Sequence, residues 1–475
     1  MHVHLIGVAG TGMGAFAGLL KAAGHRVTGS DTAFYPPMGD ALKAWGIETM
    51  LGWEPKNLSP APDLVVVGNV CRKDNPEARA AIDGAMNVRS FPKALGELFL
   101  QTRRSLVIAG THGKTTTSTL TAYLLDRAGL DPSFLVGGVP KNYGESFRLG
   151  TGGSFVVEGD EYDSAFFEKI PKFWSYRPHS AIITSIEHDH VDIYPTMDGY
   201  RDAFRGFVSR MAPDGVIVAN AADPEVVRAC EKAPCRVAYY ALASDEAHTL
   251  APWTAAPMKP TEGKQPFEVF VGGTRVGVAS SPMMGEHNVR NALASIALLS
   301  ESLGVAPEQS MRALGGFEGV KRRQELVGKP GGVFVYDDFA HHPTAVDVTL
   351  RAMKGHHAGG RVCAIFEPRS ATASRATHQN DYPAAFSAAD YSIIAPVGRP
   401  EIAASEKLDV HKVVEALRAR GRAADTVQAG PGSVDEIVEK VTAWARPGDV
   451  VAVLSNGAFG GIHGKLVTAL SSTVR

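Results

Sequence analysis

The sequence predicts an α/β protein of about three domains, and three observations carry that expectation. At 475 residues the chain exceeds what one hydrophobic core sustains, and at roughly 100 to 200 residues per domain it divides into about three. Short β-branched runs ending in Gly, Asp or Asn recur ahead of longer helical patterns, the alternation expected of parallel sheets covered by helices. Apolar residues make up 44% of the chain and charged residues 21%, an ordinary globular balance that fills several cores without extended disorder.

The elements follow in order. A strand at Val3 to Val8 leads through a glycine turn into a helix at about Gly14 to Ala23, and a second strand runs from Arg26 to Ser30 and ends at Asp31. A loop rich in Pro55, Pro60 and Pro62 precedes a strand at Leu64 to Val67. A fresh unit starts at Ser105 to Ala109, turns through Gly110 to Gly113 and enters a helix from about Lys114 to Arg127. Its later strands are Ser154 to Val157, Ala181 to Thr184 and Val216 to Ala219. The Pro-rich stretch Pro252 to Pro266 reads as a surface loop before a hairpin at Phe267 to Ala279, turned by Gly272-Gly273. A third unit begins near Val333, with strands at Val362 to Phe366, Tyr391 to Ala395 and Val450 to Leu454. The expected domains are 1–103, 104–326 and 327–475.

Composition excludes several function classes. The formal net charge is −2 and basic residues are scattered, unlike the clustered positive surface that neutralises nucleic-acid phosphates. Cys71, Cys230, Cys235 and Cys363 lack CxxC spacing and are too sparse for a disulfide framework, which points to a reducing cytoplasm. The amino terminus has no basic n-region, and no apolar run approaches the roughly 18 residues of a membrane span. The expectation is a cytoplasmic protein that is neither secreted nor embedded.

The strongest local signal is Gly110-Thr111-His112-Gly113-Lys114-Thr115-Thr116-Thr117, between a buried strand and a helix start. Backbone N–H groups of such a turn face phosphate oxygens, Lys114 adds a point charge, and Thr115 offers Mg²⁺ a hydroxyl. The spacing departs from the usual P-loop, whose first glycine would fall at Ile108. Downstream, Glu158-Gly159-Asp160-Glu161 and Glu187-His188-Asp189-His190-Val191-Asp192 place acids and a histidine at the ends of later strands. Parallel sheets bind ligands outside the carboxyl ends of their strands, so these segments converge on one nucleotide and its metal. Hard cations prefer carboxylate oxygen, which makes Glu158 the better ligand and His190 a less usual one. The opening turn, Gly7 to Gly14, is an imperfect GxGxxG. It suits a dinucleotide, with Asp31 at a ribose, as well as a uridine diphosphate, whose pyrophosphate needs the same glycine turn. A nicotinamide enzyme has no use for GTHGKTTT.

GTHGKTTT, EGDE, the DHVD segment and Gly285-Glu286-His287-Asn288-Val289-Arg290-Asn291 occur in the order of the Mur ligases, and the chain resembles that family over nearly its whole length. The likeness continues through Lys321-Arg322-Arg323 and Asp337-Asp338-Phe339-Ala340-His341-His342-Pro343. It implies a Rossmann-like amino-terminal domain for the UDP-sugar, a central P-loop ATPase domain with a parallel sheet, and a Rossmann-like carboxy-terminal domain for the peptide. It implies ATP and Mg²⁺ as cofactors. The nucleotide would lie on Gly110, Thr111, His112, Gly113, Lys114, Thr115 and Thr116, with Asn288 and Asn291 on the adenine side and Arg323 and Asp338 at phosphate and ribose. Thr115, Glu158 and His190 would serve metal, and Lys114, Glu158 and His190 catalysis. Gly10, Gly12, Met13 and Asp31 would hold the UDP-sugar. Two positions depart from the family. Arg205 stands where several members carry a carbamylated lysine, which narrows the branch, and Ser185 replaces the usual Asn.

The branch rests on two further segments, Glu367-Pro368-Arg369-Ser370-Ala371-Thr372 and Ser455-Asn456-Gly457-Ala458-Phe459-Gly460-Gly461-Ile462-His463. With Asp160 to Phe167 they resemble the branch that attaches L-Ala-γ-D-Glu-meso-diaminopimelate to UDP-N-acetylmuramate in peptidoglycan recycling, through an acyl phosphate. The L-alanine branch has a QPHRxTR type of sequence where EPRSAT stands here. Arg369 and Ser370 are the expected peptide contacts, the planar guanidinium of Arg369 matching two carboxylate oxygens. The alternatives are the L-alanine ligase of the same family, an NAD(P)-dependent oxidoreductase and a non-catalytic UDP-sugar-binding protein.

Overall fold

The computed structural model describes residues 1–261, 263–399 and 401–473. Three mixed or parallel sheets follow one another along the chain. The first is wholly parallel, in the order Glu48–Leu51, Arg26–Asp31, His2–Ile6, Leu64–Val67, Val88–Ser90. Its helices must cover both faces, and the continuous apolar run Leu64–Val67 is buried at every residue, as a strand covered on both faces requires. The strand order reverses on the two sides of His2–Ile6, so the glycine turn after Ile6 opens at the topological switch point.

The second sheet is ten-stranded, with Arg104–Ala109 paired in parallel to Ser180–Ile183 on one side and Ser154–Gly159 on the other. Three segments of chemical interest therefore leave neighbouring strand ends. The third sheet runs Glu325–Gly328, Phe334–Asp338, Val450–Leu454, Val362–Phe366, Tyr391–Ile394, Ala423–Thr426, parallel except for its first strand. There Asp338, Glu367 and Ser455 emerge side by side.

The expected P-loop helix is observed at Lys114–Arg127, and the first helix at Thr11–Ala22. The expected surface loop at Pro252 to Pro266 is corrected: Trp253–Pro257 is a strand that pairs with Gln265–Val271. Pro257 ends that strand, Pro260 lies between the two strands, and Pro266 is the second residue of the partner strand. Trp253 is buried, and its indole N–H donates to Glu301 at 2.6 Å. The hairpin with Gly272 and Gly273 at its turn forms as expected.

Helix starts differ in a way that matters for function. Pro76–Asp83, Met197–Val208 and Pro224–Cys230 are capped by the side chains of Asn75, Thr196 and Asp223. Thr11–Ala22 and Lys114–Arg127 begin after Gly10 and Gly113 without a side-chain cap, so their first N–H groups keep no intrahelical acceptor and suit an anion. The first domain docks on the second where the Phe147 ring lies against Gly18, filling the space a side chain would need. Among the described residues no helix is long and apolar enough to cross a membrane.

Candidate active site

The site is assembled from loops at the ends of the second sheet and closed by the third domain. Gly113 precedes the P-loop helix at φ 79°, a left-handed conformation, and a Cβ there would come 2.8 Å from Asn291 Oδ1. Glycine is thus required twice, by backbone sterics and by the approach of the helix Glu286–Leu303. Ser185 acquires a clear role: its hydroxyl accepts from His112 N–H at 3.0 Å and its carbonyl from Thr111 N–H at 2.8 Å, which pins the turn. Thr184 adds a hydrogen bond to the His112 carbonyl at 2.5 Å.

Lys114 reaches across the turn to the Gly110 carbonyl at 2.6 Å and to both oxygens of Glu161 at 3.1 and 2.9 Å. Glu161 is fully buried, accepts from Tyr200 OH at 3.0 Å, and faces His190 Nε2 at 3.2 Å. Burial opposes the charge on Lys114, yet Glu161 and Asp160 outweigh it and hold the ammonium protonated above its ordinary pKa. The Glu161 carboxyl is likewise held below its ordinary range, against burial, by Lys114 and His190. Sequence reasoning quoted Glu161 without assigning it a role. Nothing in the EGDE string marks which acid turns inward.

Glu158 and Thr115 meet directly, the hydroxyl donating to Oε1 at 3.0 Å, while Glu158 Oε2 accepts from Gly137 N–H at 2.8 Å. A carboxylate beside a hydroxyl is an oxygen set that fits a hard cation. His190 stands apart from that pair, against Glu161 and the Tyr162 ring at a centroid distance of 4.1 Å. Arg205 projects outward and pairs with Asp202 at 2.9 Å.

A cavity of about 350 Å³ lies between the second and third domains and is lined by Gly113, Thr116, Asn288, Asn291, Arg323 and Asp338 among others. All of these were expected at the nucleotide. Arg323 donates to Thr115 Oγ1 at 3.3 Å and lies over the Phe339 ring. Asp338 is buried and accepts from the N–H groups of Gln324 at 2.7 Å and Ala340 at 2.8 Å. Burial raises its pKa above the ordinary value, although Arg323 opposes this.

The third domain closes onto the second through Glu187, whose oxygens accept from Thr344 Oγ1 and His112 Nε2, each at 2.7 Å. His112, Glu187 and His342 form the one compact group of possible metal ligands among the described residues, with ligand atoms within 4.8 Å. Their contacts read instead as a hydrogen-bonded seam. His342 Nδ1 caps its own helix by accepting from Thr344 N–H, and burial with the neighbouring His112 pushes the imidazole down to about 3, so it is neutral.

At the first domain, Gly10 and Gly12 form the start of the helix, and the Met13 side chain is buried in the core, which leaves its backbone N–H for a ligand. Asp31, expected at a ribose, is buried and braces the turn: it accepts from Ala9 N–H at 2.9 Å and Thr32 N–H at 2.7 Å. A second cavity of about 650 Å³ is lined by Asn69 of the first domain and by Tyr162, Lys169, Asp192 and Tyr194 of the second. On the third domain, the half-exposed Arg369 faces Glu367 at 3.7 Å and lies across Gly457. A Cβ at Gly457 would come 2.6 Å from its Nε, so this glycine makes room for the guanidinium. Ser370 accepts from Ala373 N–H at 3.0 Å and holds the turn.

Three successive family models match the chain: Mur ligase family, catalytic domain, at residues 2–103; Mur ligase middle domain at 108–299; and Mur ligase, glutamate ligase domain, at 322–457. The chain belongs to the Mur ligase family. It is accordingly an ATP-dependent ligase that forms amide bonds. This Mur ligase is 38% identical over 475 residues to the UDP-N-acetylmuramate–L-alanyl-γ-D-glutamyl-meso-2,6-diaminoheptandioate ligase of Escherichia coli, covering 99% of this chain and 98% of the relative. It is 33% identical to the UDP-N-acetylmuramate–L-alanine ligase of Sinorhizobium fredii, over 96% of this chain and 94% of that one. The solved murein peptide ligase of Psychrobacter arcticus superposes with a TM-score of 0.71 at 35% identity, covering 99% of each chain.

Proposed function

We propose that this Mur ligase joins the lactyl carboxylate of UDP-N-acetylmuramate to the amine of L-Ala-γ-D-Glu-meso-diaminopimelate, in the cytoplasm, with ATP and Mg²⁺. The full-length 38% identity to a ligase of that name carries the reading. Residues 1–103 would bind the UDP-sugar through the Gly10 to Met13 turn, 104–326 the ATP, and 327–475 the tripeptide through Arg369 and Ser370.

The geometry supports a mechanism of positioning and charge neutralisation. Lys114, held charged at the turn, neutralises the transferring phosphoryl group as the muramyl carboxylate takes it and ADP leaves. Thr115 and Glu158 would hold Mg²⁺, which supplies further positive charge at the phosphates when bound, while His190, expected as a ligand, stands apart on Glu161. Arg323 reaches the same phosphates from the seam with the third domain. The seam at Glu187, Thr344 and His112 excludes water from the acyl phosphate. The amine then displaces phosphate and loses a proton.

A phosphate-release assay with UDP-N-acetylmuramate tests the reading by comparing the tripeptide with free L-alanine as acceptor. The tripeptide carries several carboxylates and alanine one. A charge-assisted contact contributes roughly 1.5 to 3 kcal/mol, so kcat/KM should favour the tripeptide ten-fold or more. Arg369→Ala should raise the KM for tripeptide and leave that for ATP unchanged. Equal or better use of L-alanine would transfer the chain to the alanine branch.

A further inference from the structure

Thr372 lies in the third domain, within EPRSAT, and its hydroxyl donates to Asp189 Oδ1 at 2.7 Å across 183 residues of sequence. Both side chains are buried, and the bond joins the acceptor-side motif to the DHVD segment of the central domain. The same Asp189 oxygen accepts from His190 N–H at 2.7 Å, which fixes a residue whose φ of 54° is left-handed and costly for a non-glycine. His190 Nε2 in turn faces Glu161 at 3.2 Å, and Glu161 holds Lys114 at 2.9 and 3.1 Å. One unbroken line of polar contacts runs from Thr372 through Asp189, His190 and Glu161 to the phosphate lysine.

We propose that Thr372 is a positioning residue that couples docking of the peptide-binding domain to assembly of the phosphate site. The inference rests on the ligase reading above and adds a role within it. The sign follows from the contacts. When the third domain is away, Asp189 loses its threonine donor and the backbone at His190 loses part of what fixes its strained conformation. His190 is then a less well-placed partner for Glu161, and Lys114 shares that looseness. With the domain docked, all four groups are set together, so phosphoryl transfer is favoured when acceptor and donor are enclosed in one water-free space. A burial-compatible hydroxyl at position 372 is what the coupling needs, and the rest of the side chain only fills volume.

Two substitutions separate this from a packing role. Thr372→Val keeps the shape and removes the donor, and Thr372→Ser keeps the donor and removes a methyl. Loss of a hydrogen bond to a buried carboxylate predicts a fall in kcat of about ten-fold or more for Thr372→Val, with the KM for ATP and for UDP-N-acetylmuramate within about three-fold of wild type. Thr372→Ser should recover most of the lost kcat. The proposal is overturned if Thr372→Val turns over at the wild-type rate, or if Thr372→Ser is as slow as Thr372→Val. Should Thr372→Val fail to fold, as judged by circular dichroism, Thr372→Ala is compared with Thr372→Ser by the same criterion. Wild-type phosphate release, measured alongside with and without the tripeptide, tests the ligase reading separately, so the two failures are distinguishable.

Discussion

At the scale of single residues, the turn before the helix Lys114–Arg127 matches a largely buried cation, Lys114, to a fully buried anion, Glu161. Lys114 and Glu161 are side chains whose separate burial is costly, and each leaves the other uncompensated when removed. Lys114→Ala should therefore do two things: lower kcat by about 10²–10³-fold, because a preorganised charge at the phosphoryl group is lost, and lower the melting temperature, because Glu161 keeps only His190 and Tyr200 as partners. Adding Glu161→Ala should restore the melting temperature while leaving turnover at the level of the single variant. A double variant that regained turnover would remove Lys114 from the catalytic role. The motif letters alone announced Lys114, but Glu161 became visible only when the chain folded. In EGDE, four successive residues compete for the same assignment, and the pleat of a strand end and the wall behind it decide which of them faces inward.

At the scale of elements, strand ends place the site and buried polar contacts keep the elements in register. In the first domain the strand His2–Ile6, the helix Pro76–Asp83 and the short helical turn Pro55–Leu58 are joined by one buried carboxylate. Glu77 accepts from His4 Nε2 at 2.6 Å and from Asn57 Nδ2 at 3.0 Å, and His4 Nδ1 meets Thr28 Oγ1 at 2.7 Å. Glu77 and His4 are fully buried. Glu77→Ala leaves His4 Nε2 without its acceptor and Asn57 with the Gly52 carbonyl alone, and should destabilise the first domain by roughly 3–5 kcal/mol. Chemical denaturation of the full chain, read with and without UDP-N-acetylmuramate, checks this, and a variant as stable as wild type would show the network to be dispensable. The helices and central strands were legible because their periodicity is local. The strand Trp253–Pro257 was not, because its prolines mimic a loop and only pairing with Gln265–Val271 shows where they sit.

At the scale of the whole molecule, closure of the third domain onto the second buries imidazoles and so ties stability to pH. Burial holds His287 at about 4, with Arg290 adding to the effect, and His342 at about 3, with His112 adding; within the third domain, burial and His356 hold His357 at about 4. Their ordinary value is 6.5. A depressed imidazole contributes stability that is complete above the unfolded value and lost as pH falls from there toward the folded one. His190, raised by Glu161 and Asp189 despite burial, and Asp223 and Asp338, raised by burial, have the opposite sign, but the lowered imidazoles outnumber them. The carboxylates held low, such as Glu187 at about 2, begin to cost stability only below their ordinary 4.5. The melting temperature should thus fall between pH 6.5 and 4.5, and a flat or rising curve across that window would contradict the burial of these histidines. By itself the sequence determined the α/β class, the glycine turn before the helix Lys114–Arg127, the order of the family motifs and several residues that line the cavity between the second and third domains, because each of these lies in a local pattern along the chain. The tertiary structure alone decided which acid pairs with Lys114, that Asp31 braces its own turn, that Ser185 pins the phosphate loop, and that Thr344 and Thr372 reach Glu187 and Asp189. Apart from the Asp31 turn, those contacts join residues 47 to 183 positions apart, and a side chain's partner is set by where packing brings it, which no local pattern encodes.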